Sequence, residues 1–183
     1  MRLRGREARE ASTARNLAKT AIQTVIFWSV FLVLLPLLIL RIEDVLDLRA
    51  WRFERSYTGD AQTACAVALF ALCGSLGLAS GATMAVRGRG TPVPLDCPRE
   101  LVIRGPYRYV RNPMVVAGIG QGIAVGIFLG SWFVIGYALA GAVLWNWLVR
   151  PWEEADLLTR FGAPYEAYRR KVRCWIPWRP RGE

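Results

Sequence analysis

The chain has no histidine among its 183 residues. A zinc or haem site would therefore need unusual ligands, and the side chain that most often moves protons in enzymes is missing. Its four cysteines include no Cys-x-x-Cys spacing, so neither a redox motif nor a disulfide framework follows. Acid is scarce as well: 14 Asp and Glu face 24 Lys and Arg, for a formal net charge of +10. That excess suits either nucleic acid or anionic lipid. The basic residues sit at the margins of apolar blocks with no soluble domain to present them, which points to lipid headgroups and away from nucleic acid. There is no internal repeat.

What the chain has in quantity is apolar sequence, 54% of its residues. Residues 22–40 form an uncharged run of 19 and residues 61–86 one of 26, each long enough to span a bilayer. Residues 114–129 and 132–148 are also uncharged and are separated only by Gly130-Ser131. At ~1.5 Å per residue each reaches roughly 25 Å, a little under the ~30 Å hydrocarbon core. They predict a tight helical hairpin that either spans with local thinning or is re-entrant. The expected fold is an all-α integral membrane protein with about four transmembrane helices, including this C-terminal hairpin, followed by a short cytoplasmic helical tail. Residues 1–20 read as a basic amphipathic segment, 21–100 as two transmembrane helices with their loops, and 101–183 as the functional core.

Of the 24 basic residues, 20 fall in the N-terminus, the loop before Pro113 and the C-terminal tail. The positive-inside bias puts these segments, and both termini, in the cytoplasm, with a bacterial-type inner (plasma) membrane as the expected location. Cys97 and Cys174 are then reduced and open to thiol reagents from that side. The first apolar run is too long for a signal peptide and lacks a small-residue cleavage site. Residues 2–19 predict a short helix lying on the headgroups, Pro36 a kink, and residues 41–60 an interfacial cap on the outer side. Residues 87–98, rich in proline and glycine, predict an ordered cover over the cytoplasmic face. Gly74, Gly77 and Gly81 thin one side of the second span for helix packing. Gly118, Gly122, Gly126 and Gly130 align on one face of the hairpin, with Gly136 and Ala140 as complements, or else form a groove that admits a lipid chain.

Chemistry concentrates in two stretches. The first is Arg-Gly-Pro-Tyr-Arg-Tyr-Val-Arg-Asn-Pro-Met at residues 104–114. Gly105-Pro106 marks a turn, and Pro113 opens a helix near Asn112 because a first-turn residue needs no amide hydrogen. Such a helix aims partly positive backbone amides at Arg108 and Arg111, a corner suited to an anion. A basic loop that merely sets topology would look the same. The second stretch is Arg150-Pro-Trp-Glu-Glu-Ala-Asp-Leu, then Phe161-Gly162, Tyr165, Tyr168, Val172 and Ile176-Pro177. Glu153, Leu157 and Phe161 stack at intervals of four on a helix ending near Gly162. Pro164 starts another, with Tyr165, Tyr168 and Val172 on one face and Arg169, Arg170, Lys171 and Arg173 as membrane-facing charge.

Together the two stretches resemble the isoprenylcysteine carboxyl methyltransferase and phospholipid methyltransferase group of integral membrane enzymes. In that group an Arg-His-Pro box and a Glu-Glu…Leu…Phe-Gly…Tyr…Tyr…Pro box, separated by an apolar hairpin, enclose S-adenosylmethionine. The resemblance covers roughly residues 101–177. Asn112 stands where the group commonly has His, and Val115 and Ala117 where it has Tyr and Gly.

The resemblance implies a methyltransferase that uses S-adenosylmethionine on a small-molecule or lipophilic acceptor. Arg111 and the helix start at Asn112, Pro113 and Met114 suit the donor carboxylate. Glu153 or Glu154 suits the ribose diol, as an acid does in dinucleotide folds. Tyr107, Phe161, Tyr165 and Tyr168 are candidates to stack on adenine or shield the sulfonium. Arg150, orienting an anionic acceptor, and Glu153 are the catalytic candidates, and no metal is expected. Lack of histidine favours an acceptor that is nucleophilic unaided, a carboxylate or thiolate. A phospholipid amine would first lose its proton to water, a tyrosinate or a glutamate. An NADPH-dependent enzyme of the sterol-reductase type and a non-enzymatic membrane scaffold are the rival readings.

Overall fold

The computed structural model describes residues 12–53, 59–91 and 98–177, and these are organised as helices. α1 is Thr13–Val45, α2 Gly59–Arg87, α3 Pro113–Leu129, α4 Trp132–Phe161 and α5 Ala163–Lys171. α1, α2 and α4 are long and apolar enough to cross a membrane, while α3, at 17 residues, is shorter. The protein is thus an all-helical integral membrane protein with three such helices and an apolar fourth. Part of the expected cover at residues 87–98, and Cys97, lie outside the described residues, as do residues 1–11 of the basic N-terminus.

The four long helices alternate in direction. At one end Phe53 N donates to Gly130 O at 2.9 Å and Gln62 Nε2 to Ile127 O at 2.6 Å. At the other, Gln23 Nε2 donates to Thr91 Oγ1 at 3.3 Å, and Gly81 packs between Thr20 and Met114. α3 therefore lies along α2 between both ends. Ser12 caps α1 by accepting from Arg15 N, and the described part of the basic segment, from Thr13 on, continues into the span instead of forming a separate surface helix.

Each proline inside a long helix is preceded by a π-helical turn, Ser29–Leu34 before Pro36 and Trp145–Val149 before Pro151. Proline offers no amide to the carbonyl four residues back and crowds it, and a widened turn relieves both problems. The second arm of the hairpin thereby passes Pro151 without breaking and runs on to Phe161. Its last three turns carry Glu153 and Glu154 out of the apolar section on a continuous helix.

Close packing rests on small residues. Gly77 meets Ala117, and a Cβ at Gly122 would lie 2.9 Å from that of Ala138. One at Gly126 would lie 2.8 Å from Ile135 N. The complements of the glycine face are thus Ala138 and Ile135; Gly136 has nothing within 4 Å, and Gly118 likewise faces open space. Gly130, at φ 67°, makes the turn. Replacing Gly126 by Ala should cost about 1–3 kcal/mol through overpacking. Gly118→Ala should be neutral or stabilising by up to ~1 kcal/mol, because only helix propensity changes. Thermal unfolding in detergent compares them, and equal losses would refute the packing assignment.

The loop after α1 clasps the hairpin tip. Glu43, 1% exposed, accepts from the Ser131 hydroxyl and from Arg52 Nε at 2.5 Å. Arg52 also donates to Leu40 O at 2.9 Å and pairs with Asp44 at 3.0 Å. Ser131 Oγ in turn accepts from Val134 N, capping α4. The outer segment read as an interfacial cap is in this part a buried ionic lock.

Candidate functional site

At the opposite end, the turn Gly105–Arg108, the start of α3, the end of α4 and α5 converge. Their centre is Glu154. Its Oε1 accepts from Arg111 Nη1 and from Arg150 Nε, both at 2.9 Å, and Arg169 Nη1 stands 3.8 Å from Oε2. Three guanidiniums around one carboxylate leave an excess of positive charge. The side chains of Arg111 and Glu154 are only 10% and 15% exposed, so water screens that pair weakly, while Arg150 and Arg169 are 31% and 40% exposed. Neighbouring Glu153 is half-buried and makes no ion pair or hydrogen bond among the described residues. The adjacent acids are thus physically distinct, one locked and one free.

Two further features favour an anion here. Arg111 Nε is buried without an acceptor. No side chain caps α3: Asn112 turns its amide to Cys174 Sγ at 3.4 Å, and Pro113 has no amide hydrogen to cap. The first free amides of α3 therefore remain available beside Arg111, whose own amide is taken by Arg173 O at 3.0 Å. Met114 points toward Gly81 of α2, and Arg108 is exposed.

The aromatic candidates divide. Tyr107 and Tyr165 are buried at 6% and 2% exposure, the Tyr165 and Tyr168 rings lie 6.3 Å apart, and Tyr168 donates its hydroxyl to Tyr107 O at 2.7 Å. Phe161 stands apart with Arg160 over its ring at 5.1 Å, and Arg160 also holds Pro98 O and Asp156. Burial, reinforced by the charges of Tyr168 and Glu153, pushes the Tyr107 phenol far above its ordinary value. Burial also raises Tyr168, and burial with Glu154 raises Tyr165. All three are neutral near pH 7, so none supplies a tyrosinate base.

Four participants were missed in the sequence. Asn146 Oδ1 accepts from Arg150 Nη1 and Trp175 Nε1, both at 2.9 Å, and Trp175 packs edge-on against Trp145. The available signal was a single amide between two tryptophans in an apolar run. Arg169 faces Glu154 instead of the membrane, whereas Arg170 pairs with Glu166 at 2.7 Å. Cys174, expected to be accessible, is buried at 8% exposure beside Asn112.

The family model described as phospholipid methyltransferase matches residues 61–163, more than half of the chain. The chain belongs to the phospholipid methyltransferase family. A stretch of 82 residues is 37% identical to the protein-S-isoprenylcysteine O-methyltransferase of Schizosaccharomyces pombe, covering 44% of this chain and 34% of that relative. The chain therefore aligns with about a third of the relative's length. The family match ends at Ala163, so it includes Arg111, Arg150, Glu153 and Glu154 and stops before the α5 tyrosines.

Proposed function

We propose that this chain is a membrane methyltransferase that binds S-adenosylmethionine at the cluster around Glu154 and methylates a small or lipophilic acceptor. The observation that carries the reading is the Arg111–Glu154 pair at 2.9 Å, which joins two polar stretches 43 residues apart into one shielded site. The site fits the donor. Arg111 Nε and the uncapped α3 amides suit its carboxylate, Glu153 its ribose diol, and Tyr107, Tyr165 and Tyr168 its aromatic and cationic parts. When bound, S-adenosylmethionine supplies an electrophilic methyl group. The chain's own work is to orient, to exclude water and to stabilise charge.

Histidine is absent and the site tyrosines are neutral, leaving Glu153 as the free acid of the cluster. A carboxylate or thiolate acceptor needs no base and could be oriented by Arg150, so O- or S-methylation is the favoured reaction. The family match supports a second reading, N-methylation of a phospholipid amine, with Glu153 taking the amine proton. The basic end faces the cytoplasm, where the donor is made.

Calorimetry of the folded protein in detergent should give saturable binding of S-adenosylmethionine and of its demethylated product. No heat with either at millimolar concentration would overturn the proposal, as would binding of NADPH in their place. A cysteine placed at Arg170 that reacts with an impermeant reagent on intact cells would remove the cytosolic donor supply on which the reading depends.

A further inference from the structure

We propose that the groove between the end of α2 and the Arg104–Gly105 turn, which none of Arg111, Arg150, Glu153, Glu154 and Arg169 lines, binds the phosphate headgroup of an anionic glycerophospholipid. The groove has a volume of about 300 Å³ and is lined by Ala82, Thr83, Val86, Arg87, Arg104 and Gly105. On α2 these residues form two rows at four-residue spacing, Thr83 with Arg87 and Ala82 with Val86. One row is polar and the other apolar, so the groove offers a charged head and a hydrocarbon flank side by side.

The opposing wall is fixed against α2. Gly105 has φ 60°, and a Cβ there would lie 2.9 Å from Thr83 Oγ1, so the turn backbone sits directly on the helix. That contact places Arg104 across from Arg87. Neither arginine has an acidic partner among the described residues, whereas nearby Arg89 pairs with Glu100 at 3.2 Å and Arg160 with Asp156 at 3.5 Å. Two uncompensated guanidiniums suit a phosphate, which accepts their planar donors in pairs.

Depth favours a lipid over free phosphate. The uncharged run of α2 ends at Val86, itself 47% exposed, and Arg87 follows immediately, at the level where headgroups meet hydrocarbon. Inorganic phosphate would gain nothing from Ala82 and Val86. A zwitterionic lipid would bring an ammonium group for which the groove lining has no acid. The observations therefore favour a lipid with net negative charge.

The test uses the full chain in nonionic detergent, with thermal unfolding followed against dioleoylphosphatidylglycerol, dioleoylphosphatidylcholine and inorganic phosphate. Phosphatidylglycerol should raise Tm by several degrees, while the other two leave it nearly unchanged. The double variant Arg87→Gln, Arg104→Gln should respond only at about tenfold higher lipid, as expected when a charge-assisted contact is lost. Arg89→Gln should respond like the wild type. Equal shifts from phosphatidylcholine or phosphate, or a full response in the double variant, would overturn the proposal. If the double variant does not fold, Ala82→Trp fills the groove with both arginines in place, and an undiminished phosphatidylglycerol response there would overturn it equally.

Discussion

Glu153→Gln and Glu154→Gln should have opposite phenotypes although each replaces a single carboxylate oxygen by an amide nitrogen on adjacent residues. Glu154 neutralises Arg111 and Arg150 at 2.9 Å, and Arg111 is 10% exposed. Removing its charge strands two guanidiniums in a poorly hydrated site, so Glu154→Gln should cost about 3 kcal/mol of stability, near the lower bound for breaking a buried pair. Glu153 holds no ion pair among the described residues, and Glu153→Gln should change stability by under ~1 kcal/mol. If Glu153 accepts the donor's ribose hydroxyls, its loss should instead weaken S-adenosylmethionine binding by about 1.5–3 kcal/mol, tenfold or more. Chemical denaturation in detergent and calorimetry separate the two effects. Arg104→Gln removes a charge outside the cluster and should leave donor affinity alone. A drop equal to that of Glu153→Gln would mean that the acids belong to a membrane-margin charge pattern and not to a binding site.

The sequence could not separate these two acids because both readings of the Glu-Glu pair, a ribose ligand and a solvated helix start, depend on what lies opposite. The structure supplies that context through Pro151. Read along the chain, this proline suggests a bend, yet the π turn before it keeps α4 continuous and fixes which acid faces Arg111. What was legible came from one-dimensional signals: apolar run length, the Gly130-Ser131 turn, proline at helix starts and glycine after Phe161. The α3 start at Pro113 and the α5 face with buried Tyr165 follow from those signals, whereas Val172, read on the same face, is buried just past the end of α5 in extended backbone. Pairings between distant segments left no such trace. Asn112 read as part of the helix start facing an anion, but its side chain bonds Cys174, and Arg169 read as membrane-facing charge but faces Glu154. Both depend on how α5 and the chain after it fold back onto α3 and α4.

The same blindness hid the clasp on the hairpin tip, where the second large effect is expected. Glu43 is 1% exposed and its carboxylate is divided between the Ser131 hydroxyl and Arg52. Glu43→Ala leaves Arg52 with only the more exposed Asp44 at 3.0 Å and removes a partner of Ser131, so it should cost about 3 kcal/mol. Arg52→Ala strands the buried carboxylate and should cost about 3–5 kcal/mol. The double variant is the decisive measurement. With both charges gone neither is stranded, and its loss should fall short of the summed single losses by about 1–3 kcal/mol. Additive losses would show that the pair acts only through unrelated packing. Ser131→Ala should cost about 1–2 kcal/mol, because the same hydroxyl caps α4 at Val134. None of these changes touches the Arg111–Glu154 end, so donor affinity measured on the fraction that remains folded should be unchanged. A parallel fall in affinity would instead mean that the hairpin transmits the position of its tip along α4 to Glu153 and Glu154, which ride on the same continuous helix.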